Sequence, residues 1–222
     1  MDSNQFAEQP GGAGAPEGAL PAAPRRAPMP VKIVVAGGFG VGKTTCVGAI
    51  SEMVPLRTEA AMTDVAAEMD RTGIVPEKTT TTVALDFGCL TIDSEMKLYL
   101  FGTPGQDRFG FMWDDIVTGA LGALVIVDTR RIDDCYPAVD YFEQAELPFV
   151  VAVNLFDGEL AHDLEDVRWA LAIGERTPLV TFDARDRISV RDALLAVLRR
   201  GLTEARAAAE EPGEPDNRVT AS

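Results

Sequence analysis

The stretch Gly37-Gly38-Phe39-Gly40-Val41-Gly42-Lys43-Thr44 constrains this chain more than any other, because it fits the phosphate-loop pattern G-x-x-x-x-G-K-[ST]. It follows an apolar β-type run, Val31-Lys32-Ile33-Val34-Val35-Ala36, and opens a helical pattern from Thr45 through Ile50. A glycine-rich loop between strand and helix lets backbone N–H groups curl round a phosphate, and the helix N-terminus adds positive potential. Within this pattern Lys43 reaches the β- and γ-phosphates and the Thr44 hydroxyl ligates Mg2+. Thr45, the next residue, completes the candidate phosphate cradle.

Charge and length narrow the partners. A chain of 222 residues with a net charge of −15 has room for one cored domain with tails. That charge repels nucleic-acid phosphate and anionic lipid alike, and no basic patch offsets it. Cys46, Cys89 and Cys135 are too widely spaced for a metal cluster and read as buried free thiols of a reducing compartment. The longest apolar run, Ala120 to Val127, is too short to span a bilayer. With no secretory or lipidation signature the expectation is a cytoplasmic protein, without direct membrane insertion and reaching a membrane only through partners.

Residues 1–29 are rich in Pro, Ala and Gly and read as a disordered leader, and residues 206–222 as a disordered acidic tail, leaving a folded domain over 30–205. After the first helix, Pro55 to Thr82 is a long connection in which Thr58 to Met69 predicts a short helix. Thr82 to Ile92 and Met96 to Phe101 alternate as strands about the turn Asp93-Ser94-Glu95, which predicts an antiparallel hairpin. Strands over Gly122–Asp128, Pro148–Leu155 and Leu179–Phe182 then alternate with helices near Asp134–Glu146, Leu164–Ala172 and Val190–Ala208. The result is an α/β fold: six strands, mostly parallel, one antiparallel edge hairpin, and helices on both faces.

Three further stretches carry a resemblance. They are Thr79-Thr80-Thr81-Thr82-Val83-Ala84-Leu85-Asp86-Phe87-Gly88, Phe101-Gly102-Thr103-Pro104-Gly105-Gln106-Asp107-Arg108-Phe109, and Asn154-Leu155-Phe156-Asp157. With the phosphate loop, their order over Val31 to Leu202 resembles the Ras-like small GTPases, a P-loop NTPase fold. Within that superfamily the chain looks most like the bacterial MglA-type group, and among those the GTPases of actinobacterial conservon operons.

The resemblance implies roles for these residues. Thr82 matches the Mg2+- and γ-phosphate-sensing threonine of the first switch, with the register open by one among four threonines. Thr79 to Thr81 read simply as β-formers entering a strand, and the same reading is the alternative for Thr82. Gly105 matches the glycine whose N–H meets the γ-phosphate, and Gln106 the glutamine that orients the attacking water. Gly102 stands where the family carries an aspartate linked to Mg2+, so weaker Mg2+ affinity is expected unless another acid, Asp86 or Asp128, reaches in; the MglA-type group shares this departure. In Asn154-Leu155-Phe156-Asp157, which resembles the guanine-reading N-K-x-D motif, Asp157 accepts from guanine N1–H and N2–H while Asn154 braces the loop. Leu155 replaces the lysine that stacks on the base. Asp183-Ala184-Arg185 corresponds to S-A-K, and from it the Ala184 N–H meets guanine O6.

Phe39 crowds the place where an activator's arginine enters in many relatives, so Arg57 or Arg71 of the chain itself, or a repositioned Gln106, is expected to serve. His162, beside Asp163, reads as a surface residue at a helix start, and Trp113 and Trp169 as packing, with contact to a partner the alternative for Trp113. Asp114-Asp115 and Asp133-Asp134 read as helix-start or solvated charges. The resemblance thus implies a switch that binds GTP/GDP with Mg2+ and hydrolyses GTP slowly. It also implies a Roadblock/LC7-type regulator and a sensor-kinase-like signalling partner. A nucleotide-binding scaffold without turnover is the alternative, and an ATPase of another phosphate-loop class a third reading that Asp157 and the hairpin oppose.

Overall fold

The structure, a computed structural model, describes residues 27–54, 56–62, 81–105 and 112–210. Its strands are β1 Met29–Ala36, β2 Leu56–Met62, β3 Thr81–Thr91, β4 Met96–Gly102, β5 Gly122–Val127, β6 Phe149–Asn154 and β7 Leu179–Phe182. They form one sheet in the order β2-β3-β4-β1-β5-β6-β7. β3 pairs antiparallel with both β2 and β4, and every other pairing is parallel. All six expected strands are present, and β2 extends the hairpin edge by a seventh.

That seventh strand corrects the reading of the connection. Thr58 to Met62, expected to open a short helix, lie in β2 opposite Leu85 to Thr81 of β3. An edge ladder supplied by a distant strand outweighs a weak local helical pattern. The remainder of that predicted helix, with Arg71, lies outside the described residues.

The helices are α1 Lys43–Ile50, α2 Trp113–Val117, α3 Tyr136–Gln144, α4 Leu164–Ala170 and α5 Arg187–Glu210. α5 continues to Glu210, into the segment read as tail. Alternation along the central strands divides the core in two. Ile33, Val35, Leu124 and Ile126 pack with Cys46, Val47 and Ile50 of α1 and with Val190, Leu194 and Val197 of α5. On the opposite face Val34, Ala36, Val125 and Val127 pack with Trp113, Ile116, Val139, Phe142 and Val167 from α2, α3 and α4. No helix among the described residues is long and apolar enough to cross a membrane.

From β1 the chain crosses to the far edge at β2 and comes back through β3 to β4 beside β1, then passes to the other side of β1 and builds outward through β5–β7. The order therefore reverses between β1 and β5. In open α/β sheets the crevice outside the carboxyl ends of such strands is where ligands bind. The phosphate loop leaves β1 at that crevice.

Candidate nucleotide-binding site

Gly37, Gly40 and Gly42 have φ of 134°, 75° and 112°, so the loop folds into a cradle that side-chain-bearing residues adopt rarely. Gly42 is also pressed from below: a Cβ there would stand 2.8 Å from Asn154 Nδ2. Lys43 is buried, and its Nζ donates to Gly37 O at 2.8 Å and to Gly38 O at 2.6 Å. Burial pushes the Lys43 ammonium down to about 8, against a smaller raising effect of Asp86. Gly105, expected at the γ-phosphate, does meet this cluster. A Cβ on it would lie 2.7 Å from Lys43 Nζ, 3.0 Å from Phe39 Cα and 3.1 Å from Gly38 O. Only glycine allows that approach.

The acid that reaches in beside Gly102 is Asp86. Its Oδ2 accepts from Thr44 Oγ1 at 2.5 Å. A Cβ built on Gly102 would be 3.0 Å from Asp86 Cβ and 3.5 Å from Asp86 Oδ2. The Asp86 side chain thus takes the volume an aspartate at 102 would need. Asp128 is otherwise engaged: it accepts from Arg130 Nε and Nη2, each at 2.8 Å, and these bonds hold its carboxyl below the usual carboxylate range. A hydroxyl and a carboxylate oxygen in contact, beside a phosphate cradle, form the hard oxygen donor set that Mg2+ takes together with nucleotide phosphates. The residues fit that ion.

Below the loop, Asn154 ties three segments together. Its Nδ2 donates to Val41 O at 3.0 Å, and its Oδ1 accepts from Ala184 N at 3.1 Å. The bracing role expected of Asn154 is present. Ala184 N–H is correspondingly spent on Asn154, whereas it was expected to face a base oxygen. Asp157 lies in the short turn Phe156–Gly158 just beyond β6. Where the lysine of N-K-x-D is missing, the Arg130 guanidinium stacks on Phe156, 4.1 Å from the ring centre.

Other expected residues fall further off. Gln106 lies outside the described residues. Thr82 stands in the edge ladder opposite Ala61, four residues before Asp86 and so about 13 Å from it by strand rise. Arg57 pairs through its backbone with Asp86 in β2. Phe39 is 67% exposed at the loop's mouth. Thr45 is exposed on the first turn of α1.

Trp113 is core, stacked on Phe142 at 5.8 Å, but Trp169 is 86% exposed, contrary to its expected packing role. Its apolar neighbours in sequence turn to the other side of a short helix. His162 is exposed just before the Asp163 cap of α4. The three cysteines are buried and free, as expected, and burial pushes the Cys46 and Cys135 thiols up to about 12. Asp134, expected as a helix-start or solvated charge, lies two residues before α3 with its side chain 40% exposed, and it also pairs with Arg131 at 3.3 Å. Arg131 was missed altogether. Its Nη2 donates to Phe39 O at 2.9 Å, and the one available signal was an arginine pair following the strand that ends beside the loop.

Comparison with known proteins agrees with this geometry. An uncharacterized protein of Methanocaldococcus jannaschii is 33% identical over 129 residues, spanning 57% of this chain and 71% of that protein. The G domain of FeoB from Methanococcus jannaschii superposes with a TM-score of 0.52 at 14% identity, covering 78% of this chain and 98% of that domain. The G domain of the T. maritima FeoB iron transporter gives 0.52 at 16% identity, covering 80% and 99%. These structures share the G-domain fold. The family described as conserved hypothetical ATP binding protein matches residues 35–204. The chain belongs to that family of phosphate-loop nucleotide-binding proteins.

Proposed function

We propose that this chain binds GTP and GDP with Mg2+, hydrolyses GTP slowly, and acts as a nucleotide-gated signalling switch. The observation carrying the reading is the joining of Lys43, Gly105, Thr44 and Asp86 at the mouth of one phosphate loop. In hydrolysis the water oxygen bonds to the γ-phosphorus while the bond to the β–γ bridging oxygen breaks. GDP and inorganic phosphate leave, with the water's proton passing to phosphate or solvent. Lys43 offsets the charge on the phosphoryl oxygens, and the Gly105 N–H faces the γ-phosphate. Gln106 orients the water. Thr44 Oγ1 and the Asp86 carboxylate would hold Mg2+, which would supply charge neutralisation at the phosphates.

Guanine preference is supported by Asn154 and Asp157 at the end of β6, three residues apart, with Asn154 already fastened to the loop. The family's description speaks of ATP, so base choice is the first thing to measure. Protein purified without added nucleotide is denatured and its bound nucleotide resolved by ion exchange, alongside titration with fluorescent GDP and ADP. Preference for GDP by tenfold or more is expected; preference for ADP would overturn the guanine reading.

Thr82 is assigned the switch role. In the GTP state it has to leave the edge ladder and approach Thr44, an order change of the kind that switch segments undergo. A regulator of the Roadblock/LC7 type and a sensor-kinase-like membrane partner, as in MglA-type and conservon systems, belong to the same proposal. The exposed Phe39 ring at the loop's mouth and Leu155 in the base loop favour one second reading, a scaffold that binds without turnover. Gln106→Leu separates the two: a GTPase loses hydrolysis and keeps binding, whereas a scaffold shows no turnover before or after the change.

A further inference from the structure

Four carbonyls of the phosphate loop are held by side-chain donors, two of them by donors from outside the loop. Gly37 O and Gly38 O take Lys43, Phe39 O takes Arg131, and Val41 O takes Asn154. Lys43 has to leave its carbonyls when phosphate enters, because phosphate is what its ammonium serves. The holds by Arg131 and Asn154 come from outside the cradle and persist. The Asn154 hold belongs to the base loop already described.

Arg131 is placed there by a built turn. Asp128 caps the 3-10 segment Thr129–Cys135, which breaks at Arg131 with φ −144° and ψ 58°. The break turns the side chain onto the loop, where its Nη1 lies 3.3 Å from Asp134 Oδ2 and its Nη2 3.7 Å from Asp128 Oδ2. Asp134 is itself wedged against the loop: a Cβ on Gly38 would collide with Asp134 Cβ. A planar guanidinium donates in two fixed directions at once, so one side chain links Asp134 to Phe39 O.

In a trans peptide the C=O and the following N–H point in opposite directions. A donor seated on Phe39 O from outside therefore sets the Gly40 N–H facing the other way, into the cradle. Gly40 needs that setting, because glycine at a φ of 75° rotates with little steric resistance. A cation on the carbonyl also polarises the peptide and strengthens its N–H as a donor. We propose that Arg131 is a positioning residue for phosphate binding, fixing the Phe39–Gly40 peptide so that the Gly40 N–H donates to the phosphates of the bound nucleotide. This rests on the phosphate loop being the nucleotide site, and it is independent of which base is bound.

The test uses the full chain and three variants, Arg131→Ala, Arg131→Lys and Asp134→Asn, the last of which keeps the Cβ against Gly38. Affinities for GDP and ADP are measured by calorimetry, and the β-phosphate of bound diphosphate is followed by phosphorus NMR. Arg131→Ala is expected to weaken the bound diphosphate about 10- to 100-fold and to move the β-phosphate resonance. Melting of the nucleotide-free protein should shift by no more than about 2 °C, as for a half-exposed side chain. Arg131→Lys restores part of the affinity, and Asp134→Asn lowers it in the same direction. Unchanged affinity and resonance in Arg131→Ala would overturn the proposal, and so would an affinity loss matched by a large loss of melting temperature. Wild-type protein that binds neither diphosphate would sink the nucleotide reading itself, whereas a preference for ADP would sink only the guanine reading.

Discussion

Thr44 Oγ1 donates to Asp86 Oδ2 across 2.5 Å, joining the first turn of the phosphate-loop helix to the middle of β3. The bond places a carboxylate from one strand in the space left by a glycine on the next. Asp86→Asn should therefore weaken Mg2+-dependent retention of nucleotide by about 10- to 100-fold, the usual effect of losing a carboxylate that supports a metal. Release of fluorescent GDP during Mg2+ titration reads it directly.

The same relationship predicts an exchange of positions. Gly102→Asp alone brings a Cβ to 3.0 Å from Asp86 Cβ and sets two carboxylates together, so both stability and Mg2+ affinity should fall. Combined with Asp86→Ala, it should recover most of the Mg2+ dependence. Full affinity in the Gly102→Asp single variant would refute the shared-space account.

Lys43 predicts a pH dependence. Its ammonium titrates at about 8 in the free protein, below the ordinary 10.5. The unfolded chain thus holds one more proton than the folded chain between those values, and from this group alone the nucleotide-free protein gains stability as pH rises through that window. Phosphate binding has the opposite sign, because phosphate pairs with the ammonium. Affinity should be level below about pH 8 and fall by up to about tenfold per unit above it. Calorimetry in buffers of different ionisation enthalpy should show proton uptake on binding in the falling region and none well below it.

Asn154→Ala removes a donor from Val41 O and an acceptor from Ala184 N in a buried setting. The expected cost is about 1–3 kcal/mol of stability, read as a lower urea midpoint at unchanged slope. Because Ala184 N–H is released, the segment after β7 loses its anchor to Asn154 as well, and nucleotide dissociation should quicken by about tenfold or more.

Cys46 and Cys135 should resist an aromatic disulfide reagent in the native protein, since both are buried and burial pushes their thiols up to about 12. Labelling should appear only as the protein unfolds in urea. Rapid labelling of the native chain at neutral pH would show that α1 or the turn before α3 opens locally.

Much of this architecture is legible in local chemistry. Parallel strands covered on both faces read as unbroken apolar runs, which is why Gly122–Val127 and Phe149–Asn154 stand out and why β7 falls on Leu179–Phe182 as expected. The phosphate loop is equally plain, because three positive-φ positions call for glycine and one charge calls for lysine. β2 is hidden because Leu56-Arg57-Thr58-Glu59-Ala60-Ala61-Met62 carries little β-forming bias, and its ladder comes from a strand beyond a long connection. Arg131 is hidden for a like reason: its partner Phe39 is 92 residues away, and an arginine pair after a strand has no local signature.

By itself, the sequence determined the strand–loop–helix cradle, the alternation that builds a doubly covered sheet, and the two acids able to stand in beside Gly102. The first two follow from residue chemistry and spacing within a few turns of chain, and the acids from the resemblance that marks Gly102 as a departure. Only the tertiary structure decided that Asp86 takes that place while Asp128 is occupied by Arg130. Only it showed that Asn154 and Arg131 grip the phosphate loop from outside, and that Thr82 pairs with Ala61 in the ladder of β2 and β3. These depend on pairing register and on which segments meet across the sheet, and such contacts are set by packing of the whole chain rather than by any stretch of it.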